Sequence, residues 1–190
     1  MISDEIQSGY GRTGKLWASD WEAIRPDIIT CGKSMTGGFI PASAAICDSD
    51  IMDLIKPGDH GSTYGGNPLA MAVSIASLET LIEEGMIENA ATVGPILQYE
   101  IAKINSPLFE EVRGRGLFIG VELKKDLHVN ANDYAKILME KGLLTKATHN
   151  TIVRLTPALV ITKEECFQVV EIMADAIKDL EKLNDQRANK

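Results

Sequence analysis

Pro26-Asp27-Ile28-Ile29-Thr30-Cys31-Gly32-Lys33-Ser34-Met35-Thr36-Gly37-Gly38 packs a strand, a lysine and three glycines into one short run. Ile28 to Cys31 is uncharged and rich in β-branched residues, the pattern of a fully buried strand. Lys33 follows it directly, with Gly32 before it and the Gly37-Gly38 pair behind. A lysine at a strand end is carried on rigid backbone, and nearby glycines let a ligand approach the main chain. A Schiff-base lysine needs that setting, with its amine partly desolvated so that the neutral nucleophile is populated. Taken alone, the stretch fits more readily a lysine that snorkels from a strand end into solvent.

The flanking segments change that balance. Upstream stands Ser3-Asp4-Glu5-Ile6-Gln7-Ser8-Gly9, and downstream His60-Gly61-Ser62-Thr63-Tyr64-Gly65-Gly66-Asn67-Pro68. In order and spacing, D-E-x-Q, R-P-D-x-x-x-x-G-K and H-G-S-T-Y-G-G-N-P resemble the class III pyridoxal-phosphate (PLP) aminotransferases. Gly142-Leu143-Leu144-Thr145-Lys146-Ala147-Thr148-His149, followed by Ile152-Val153-Arg154-Leu155-Thr156-Pro157, looks like the ornithine δ-aminotransferase branch of that family. The resemblance runs from about Ile2 to Leu183. It implies an α/β fold: the C-terminal part of a fold type I large domain, followed by a small α+β domain. Chains of that family are longer and carry these motifs in their back half, so a fragment, an alternative product or a truncated gene product is expected.

Composition agrees with a globular protein. The chain has 190 residues, 45% apolar and 24% charged, enough for one domain or two small ones. A net charge of -8 and a pI near 4.9 argue against nucleic acid or an anionic membrane surface as partner. No stretch approaches the ~20 apolar residues of a membrane span. Met1-Ile2 leads straight into acidic residues, so no signal or transit peptide is expected, and the mitochondrial matrix or cytoplasm is the expected compartment. Cys31, Cys47 and Cys166 are isolated in apolar contexts and read as buried, reduced thiols. His60, His128 and His149 lack zinc-ligand spacing, so no metal site is expected. Gly9 to Lys15 fits G-x-x-x-x-G-K, but Leu16 stands where a P-loop carries its Ser or Thr, which excludes an ATPase reading.

Along the chain, the pattern predicts a large-domain part over 1–84 and a small α+β domain with a connecting helix over 85–190. The first part reads as a strand stub ending at Asp4, a glycine-rich loop, and a brief helix at 19–22 capped by Ser19 or Asp20. The Ile28–Cys31 strand follows, then a strand at 42–47 and a helix from the Asp48-Ser49-Asp50 cap through Ile55. Asn67-Pro68 caps a long apolar helix marked by Leu69, Val73, Ala76, Leu78 and Leu81 and closed by Gly85. The second part reads as a helix over 87–104 with a mild break at Gly94-Pro95, a strand at 117–123, a helix over 131–141 and a strand at 152–155. A last helix starts from the Thr162-x-x-Glu165 capping box. Its buried face is marked by Phe167, Val170, Met173, Ile177 and Leu180, and 184–190 is expected to fray.

PLP chemistry asks a protein for an imine-forming lysine, an acid for the ring nitrogen, an anion site and a carboxylate clamp. The resemblance implies Lys33 as the lysine, Asp4 against the ring nitrogen and Gln7 beside the ring hydroxyl. It places Ser62 and Thr63 at the phosphate, with Thr63 reaching the cofactor of a neighbouring subunit, and makes Arg154 the substrate carboxylate clamp. From the residues alone, Asp4 also suits a strand-end acid or cap, Gln7 a polar loop residue, and Ser62-Thr63 ordinary turn residues before a capped helix. Free backbone N–H groups at the Pro68 helix start would add to an anion site. Arg154 sits mid-strand, where a cation is expensive unless it is paired or faces a ligand, so a structural ion pair stays open.

The activity implied is PLP-dependent transfer of the δ-amino group of L-ornithine to 2-oxoglutarate, in a homodimer or higher homo-oligomer. Acetylornithine or 4-aminobutyrate aminotransferase is the rival within the family, and a non-catalytic fragment the rival outside it. Chain 1–190 alone is expected to be a poor enzyme.

Overall fold

The structure, a computed structural model, describes residues 1–189. The chain divides into two compact units, Met1–Glu88 and Asn89–Lys190. Among the described residues, no helix is long and apolar enough to cross a membrane.

The first unit is built on a three-stranded sheet of order β1-β2-β3, from β1 (Ile2–Asp4), β2 (Ile28–Cys31) and β3 (Ala44–Cys47). β1 runs parallel to β2, pairing Ile2 with Ile28 and Asp4 with Thr30, while β3 is antiparallel. The expected full burial of β2 does not hold: Ile28, Ile29 and Thr30 are half-buried and only Cys31 is buried. In so short a sheet the flanking elements cover the strand incompletely. Helix α1 is a single turn (Ser49–Met52), shorter than expected, because Asp48 makes no side-chain cap and pairs with Arg25 at 2.7 Å instead. The brief helix near residue 20 is a 3-10 turn, Ala18–Glu22, and Asp20 bonds back to the Trp17 N–H rather than capping its own start.

Helix α2 (Pro68–Glu83) follows the capping signal closely. Asn67 accepts from the Ala70 N–H at 2.9 Å, Pro68 takes the first helical position, and Gly85 follows at φ 62. Its apolar residues, however, are not a buried stripe. Ala70 and Leu81 are buried, whereas Leu69 and Ile75 are each 58% exposed. Cys47 is half-buried rather than buried, unlike Cys31 and Cys166.

The chain continues into α3 (Met86–Ala102), most of which belongs to the second unit. No break occurs at Gly94-Pro95. Pro95 forfeits one backbone bond, but Gly94 lies so close to the Gly116 backbone that a Cβ there would come within 2.1 Å of its carbonyl oxygen. The helix runs on through Pro95, with Gly94 packed tightly against Gly116, where the sequence suggests a mild break.

The second unit has an antiparallel sheet of order β4-β5-β7-β6: β4 (Phe109–Arg115), β5 (Phe118–Leu123), β6 (Lys146–Thr148) and β7 (Ile152–Leu155). β5 alternates half-buried and buried positions, putting Ile119, Val121 and Leu123 into the core with Val153 and Leu155. β4 and β6 escape the sequence reading. The register of β4 shifts between Phe109 and Glu111, so its period of two is interrupted, and its charges pair along the edge: Arg113 with Glu122 at 2.8 Å and Glu111 at 3.1 Å.

Helix α4 (Ala131–Glu140) carries a capping box between Asn130 and Asp133. Helix α5 starts from the Thr162/Glu165 box and extends over Lys163–Ala188, so 184–188 is helical rather than frayed, and residue 190 of the expected frayed tail lies outside the described residues. Arg187 pairs with Asp133 at 2.7 Å, and Asn184 accepts from the His128 N–H at 2.9 Å, which tether the last turns. Met173, Ile177 and Leu180 are buried as expected, but Phe167 is 39% exposed and Cys166 takes the inward place.

Candidate active site

The C-terminal ends of the parallel strands β1 and β2 bring three of the expected residues together. Lys33 follows β2 at φ 44, the left-handed region that non-glycine residues rarely occupy. Its Nζ donates to Gln7 Oε1 at 2.8 Å. Asp4, the last residue of β1, lies beside Thr30: its Oδ1 accepts from Thr30 Oγ1 at 3.4 Å and from the Ile6 N–H at 3.1 Å. In open α/β sheets the carboxyl ends of parallel strands are where ligands bind. One feature departs from expectation: Lys33 is exposed, so the described residues do not provide the burial that an imine-forming amine needs.

The sequence reading passes over Glu5, the most deeply buried acid of the first unit at 1% exposed. Oε2 accepts from Ser8 Oγ at 2.6 Å and the Ala18 N–H at 3.0 Å; Oε1 accepts from the Ser19 N–H at 2.9 Å and Ser3 Oγ at 3.3 Å. Burial by itself raises a carboxyl pKa, but here the bonds from Ser8, Ala18 and Ser19 outweigh it and hold Glu5 below the usual carboxylate value. The sequence marks Glu5 only as an acid three residues before Ser8 and next to Asp4, a pattern that does not distinguish a buried hub from an exposed turn residue.

Ser62 and Thr63 lie in the loop before α2, and both are exposed. Ser62 Oγ accepts from the Gly65 N–H at 2.9 Å. The helix start itself is largely used up, contrary to the expected free N–H groups. Pro68 has no N–H, the Asn67 side chain takes that of Ala70, and the Asn67 carbonyl takes that of Met71 at 3.1 Å. Among the described residues, no hydrogen bond joins Ser62 or Thr63 to Asp4, Gln7 or Lys33.

Arg154 belongs to the second unit, in β7, directly opposite Gly120 on β5 and Lys146 on β6. Its Nε is buried without a hydrogen-bond partner. Among the described residues no carboxylate pairs with it, so the structural ion pair left open by the sequence is not formed. Arg154 helps to line a cavity of about 260 Å³ together with Leu97, Leu144, Thr145, Lys146 and Val169. A guanidinium held this way is short of an anionic partner. A carboxylate accepting two of its N–H bonds would supply one. The amine, carboxylate and amide at the strand ends of the first unit have the chemistry that a PLP centre uses. No group of three or more His, Cys, Asp or Glu suited to a metal occurs among the described residues.

The family model described as Aminotransferase class-III matches residues 1–177, and the chain belongs to that family. Its members are PLP-dependent. Among curated relatives, an ornithine aminotransferase of Staphylococcus carnosus (strain TM300) is 51% identical over 171 residues, which cover 90% of this chain and 42% of the relative. One from Halalkalibacterium halodurans is 50% identical over the same extent. Among solved structures, the ornithine aminotransferase of Toxoplasma gondii ME49 superposes with a TM-score of 0.90 at 39% identity, covering 95% of this chain and 44% of its own. The acetylornithine aminotransferase of Elizabethkingia anophelis matches with a TM-score of 0.88 at 42% identity, over 94% and 45%. The fold is that of the PLP-dependent aminotransferases of fold type I. The chain spans less than half the length of these relatives.

Proposed function

We propose that this chain carries the lysine-bearing part of a PLP-dependent aminotransferase that moves the δ-amino group of L-ornithine to 2-oxoglutarate, giving glutamate semialdehyde and glutamate. The observation that carries this reading is the Lys33 Nζ–Gln7 Oε1 bond at the ends of two parallel strands, one of which finishes in Asp4. Likeness to ornithine aminotransferases supports the choice of amine donor.

Bound PLP supplies an electron sink for the bond broken at the amino carbon. Lys33 would be the amine that holds the cofactor, and its Nζ is the atom that would take and return a proton. Asp4 would be the carboxylate that keeps the cofactor ring protonated, and Gln7, which accepts from Lys33 Nζ, would help to hold the ring beside that amine. Ser62 and Thr63 would supply hydroxyls to hold the phosphate, with Thr63 serving the site of a second subunit in a homodimer. Arg154 holds a substrate carboxylate through its planar fork.

Borohydride reduction of the protein with PLP, followed by peptide mapping, tests the lysine: the pyridoxyl group is expected on Lys33. A label on Lys15 or Lys56 instead sinks the assignment. Acetylornithine is the second donor to weigh, because the Elizabethkingia acetylornithine enzyme matches about as well in fold and identity. Initial rates with ornithine and acetylornithine, measured side by side in a chain of full family length, separate the two.

A further inference from the structure

We propose that Glu5 is a positioning residue: its carboxylate fixes the tight turn that carries Gln7, and through Gln7 it sets where the Lys33 amine stands. The inference rests on reading Lys33 as the cofactor lysine. A buried carboxylate must have partners, and Glu5 finds them in Ser3 and Ser8 close to Gln7 and in Ala18 and Ser19 beyond the glycine-rich loop. Ser8 Oγ closes the turn on one side of Gln7, at 2.6 Å from Oε2. The Gly9 N–H closes it again onto the Glu5 carbonyl at 2.9 Å, and the Glu5 N–H is bonded to Thr30 O of β2 at 2.8 Å. The turn has no slack: a Cβ at Gly9 would lie 2.8 Å from the Glu5 carbonyl oxygen and 2.9 Å from the Trp17 ring. Ala18 and Ser19 donate from the far end of the glycine-rich loop and lock that loop to the same carboxylate. Gln7 stands inside this frame, and its Oε1 is the acceptor that meets Lys33 Nζ at 2.8 Å.

An amide cannot replace this carboxylate. Glu5 accepts on both oxygens, from four donors. In Glu5→Gln one oxygen becomes an NH₂ group, which faces at least one backbone N–H donor to donor. Glu5→Asp keeps two accepting oxygens on a shorter reach.

The test is trace acylation of the 190-residue protein without PLP, with each lysine quantified by mass spectrometry and Lys56 and Lys103 as references. Gln7→Leu is expected to raise acylation at Lys33 by about two- to tenfold, the range of one net hydrogen bond. Glu5→Gln should raise it to a similar level, Glu5→Asp by less, and the double variant no further than Gln7→Leu alone. Lys56 and Lys103 should not change. An unchanged Lys33 rate in Glu5→Gln overturns the proposal, and so does an increase that adds to that of Gln7→Leu. If Glu5→Gln raises acylation at the reference lysines, Ser8→Ala replaces it. That variant drops one of the four bonds, and its smaller rise at Lys33 should vanish in the Gln7→Leu background; no rise overturns the proposal equally. Borohydride labelling with PLP is the separate arm. A pyridoxyl group on another lysine, with the acylation pattern intact, fails the cofactor reading and leaves the Glu5–Gln7–Lys33 linkage standing.

Discussion

The two units are held together by different physics. In Asn89–Lys190 one continuous cluster buries Leu97, Ile101, Ile119, Val121, Tyr134, Leu138, Met173 and Leu180 at 1% exposure or less. In Met1–Glu88 the buried apolar side chains are Cys31, Ala70 and Leu81, and they are joined by the buried polar side chains Glu5, Thr13 and Thr36. Phe39 is 79% exposed and Tyr64 82%. A hydrophobic core tolerates loose local geometry because burial is non-directional, whereas a carboxylate with four donors fixes atoms to particular places. Lys33, Gln7 and Asp4 sit in the unit held by directed bonds, and Arg154 sits in the packing unit.

The largest expected effect attacks the chemistry. In a chain of full family length, Lys33→Ala should lower transamination by about 10²- to 10⁴-fold, the usual worth of a general acid–base group. Residues 1–190 expressed alone should fall at least about a hundredfold below a full-length relative, since Lys33, Ser62 and Thr63 are exposed and orientation is lost. Ornithine turnover with added PLP measures both, and near-equal turnover by the short chain would mean that it completes its site unaided.

The contrast in packing gives the next test. Leu138→Ala should cost about 2–5 kcal/mol in urea unfolding followed by far-UV circular dichroism. Ile75→Ala, at a position 58% exposed, should stay within about 0.5 kcal/mol. Trp17 and Trp21, the two tryptophans of the chain, both lie in the first unit, so their fluorescence reports that unit separately. If Leu138→Ala moves the tryptophan transition as far as the dichroism, the two units unfold as one and the comparison fails.

Arg154→Gln should weaken binding of the carboxylate substrate by about 1.5–3 kcal/mol, the range for a lost bond to a charged group. The effect belongs in KM for 2-oxoglutarate. An effect on stability alone would return Arg154 to a structural role.

The smallest effect is expected with pH. The Glu5 carboxyl is held below its ordinary value of 4.5, so its contribution to stability is complete above the unfolded value and is lost as pH falls through the lower folded one. Tryptophan fluorescence should therefore report loosening of the first unit on acidification below about pH 4.5, the reference value for a free Glu side chain. Glu5→Gln should flatten that dependence. A wild-type profile as flat as the variant's would remove Glu5 from the account of this unit.

Much was legible in the sequence because local rules act locally. The strand at Ile28–Cys31, the strand at Ile152–Leu155, the Asn67-Pro68 helix start and the Thr162/Glu165 box all depend on residues within a few positions of one another. The family was legible too, from three motifs in register. Tertiary structure alone decided the rest. The bulge in β4 hid an edge strand by breaking its alternation, and α3 runs on through Pro95 with Gly94 packed tightly against Gly116. That α2 is apolar is legible because hydrophobicity is local, but that Leu69 and Ile75 stay exposed is decided by what packs against the helix. Glu5 shows the same limit most clearly. A glutamate in a motif can be solvent-facing or the hub of a turn, and only the convergence of Ser3, Ser8, Ala18 and Ser19 on its two oxygens makes it the second.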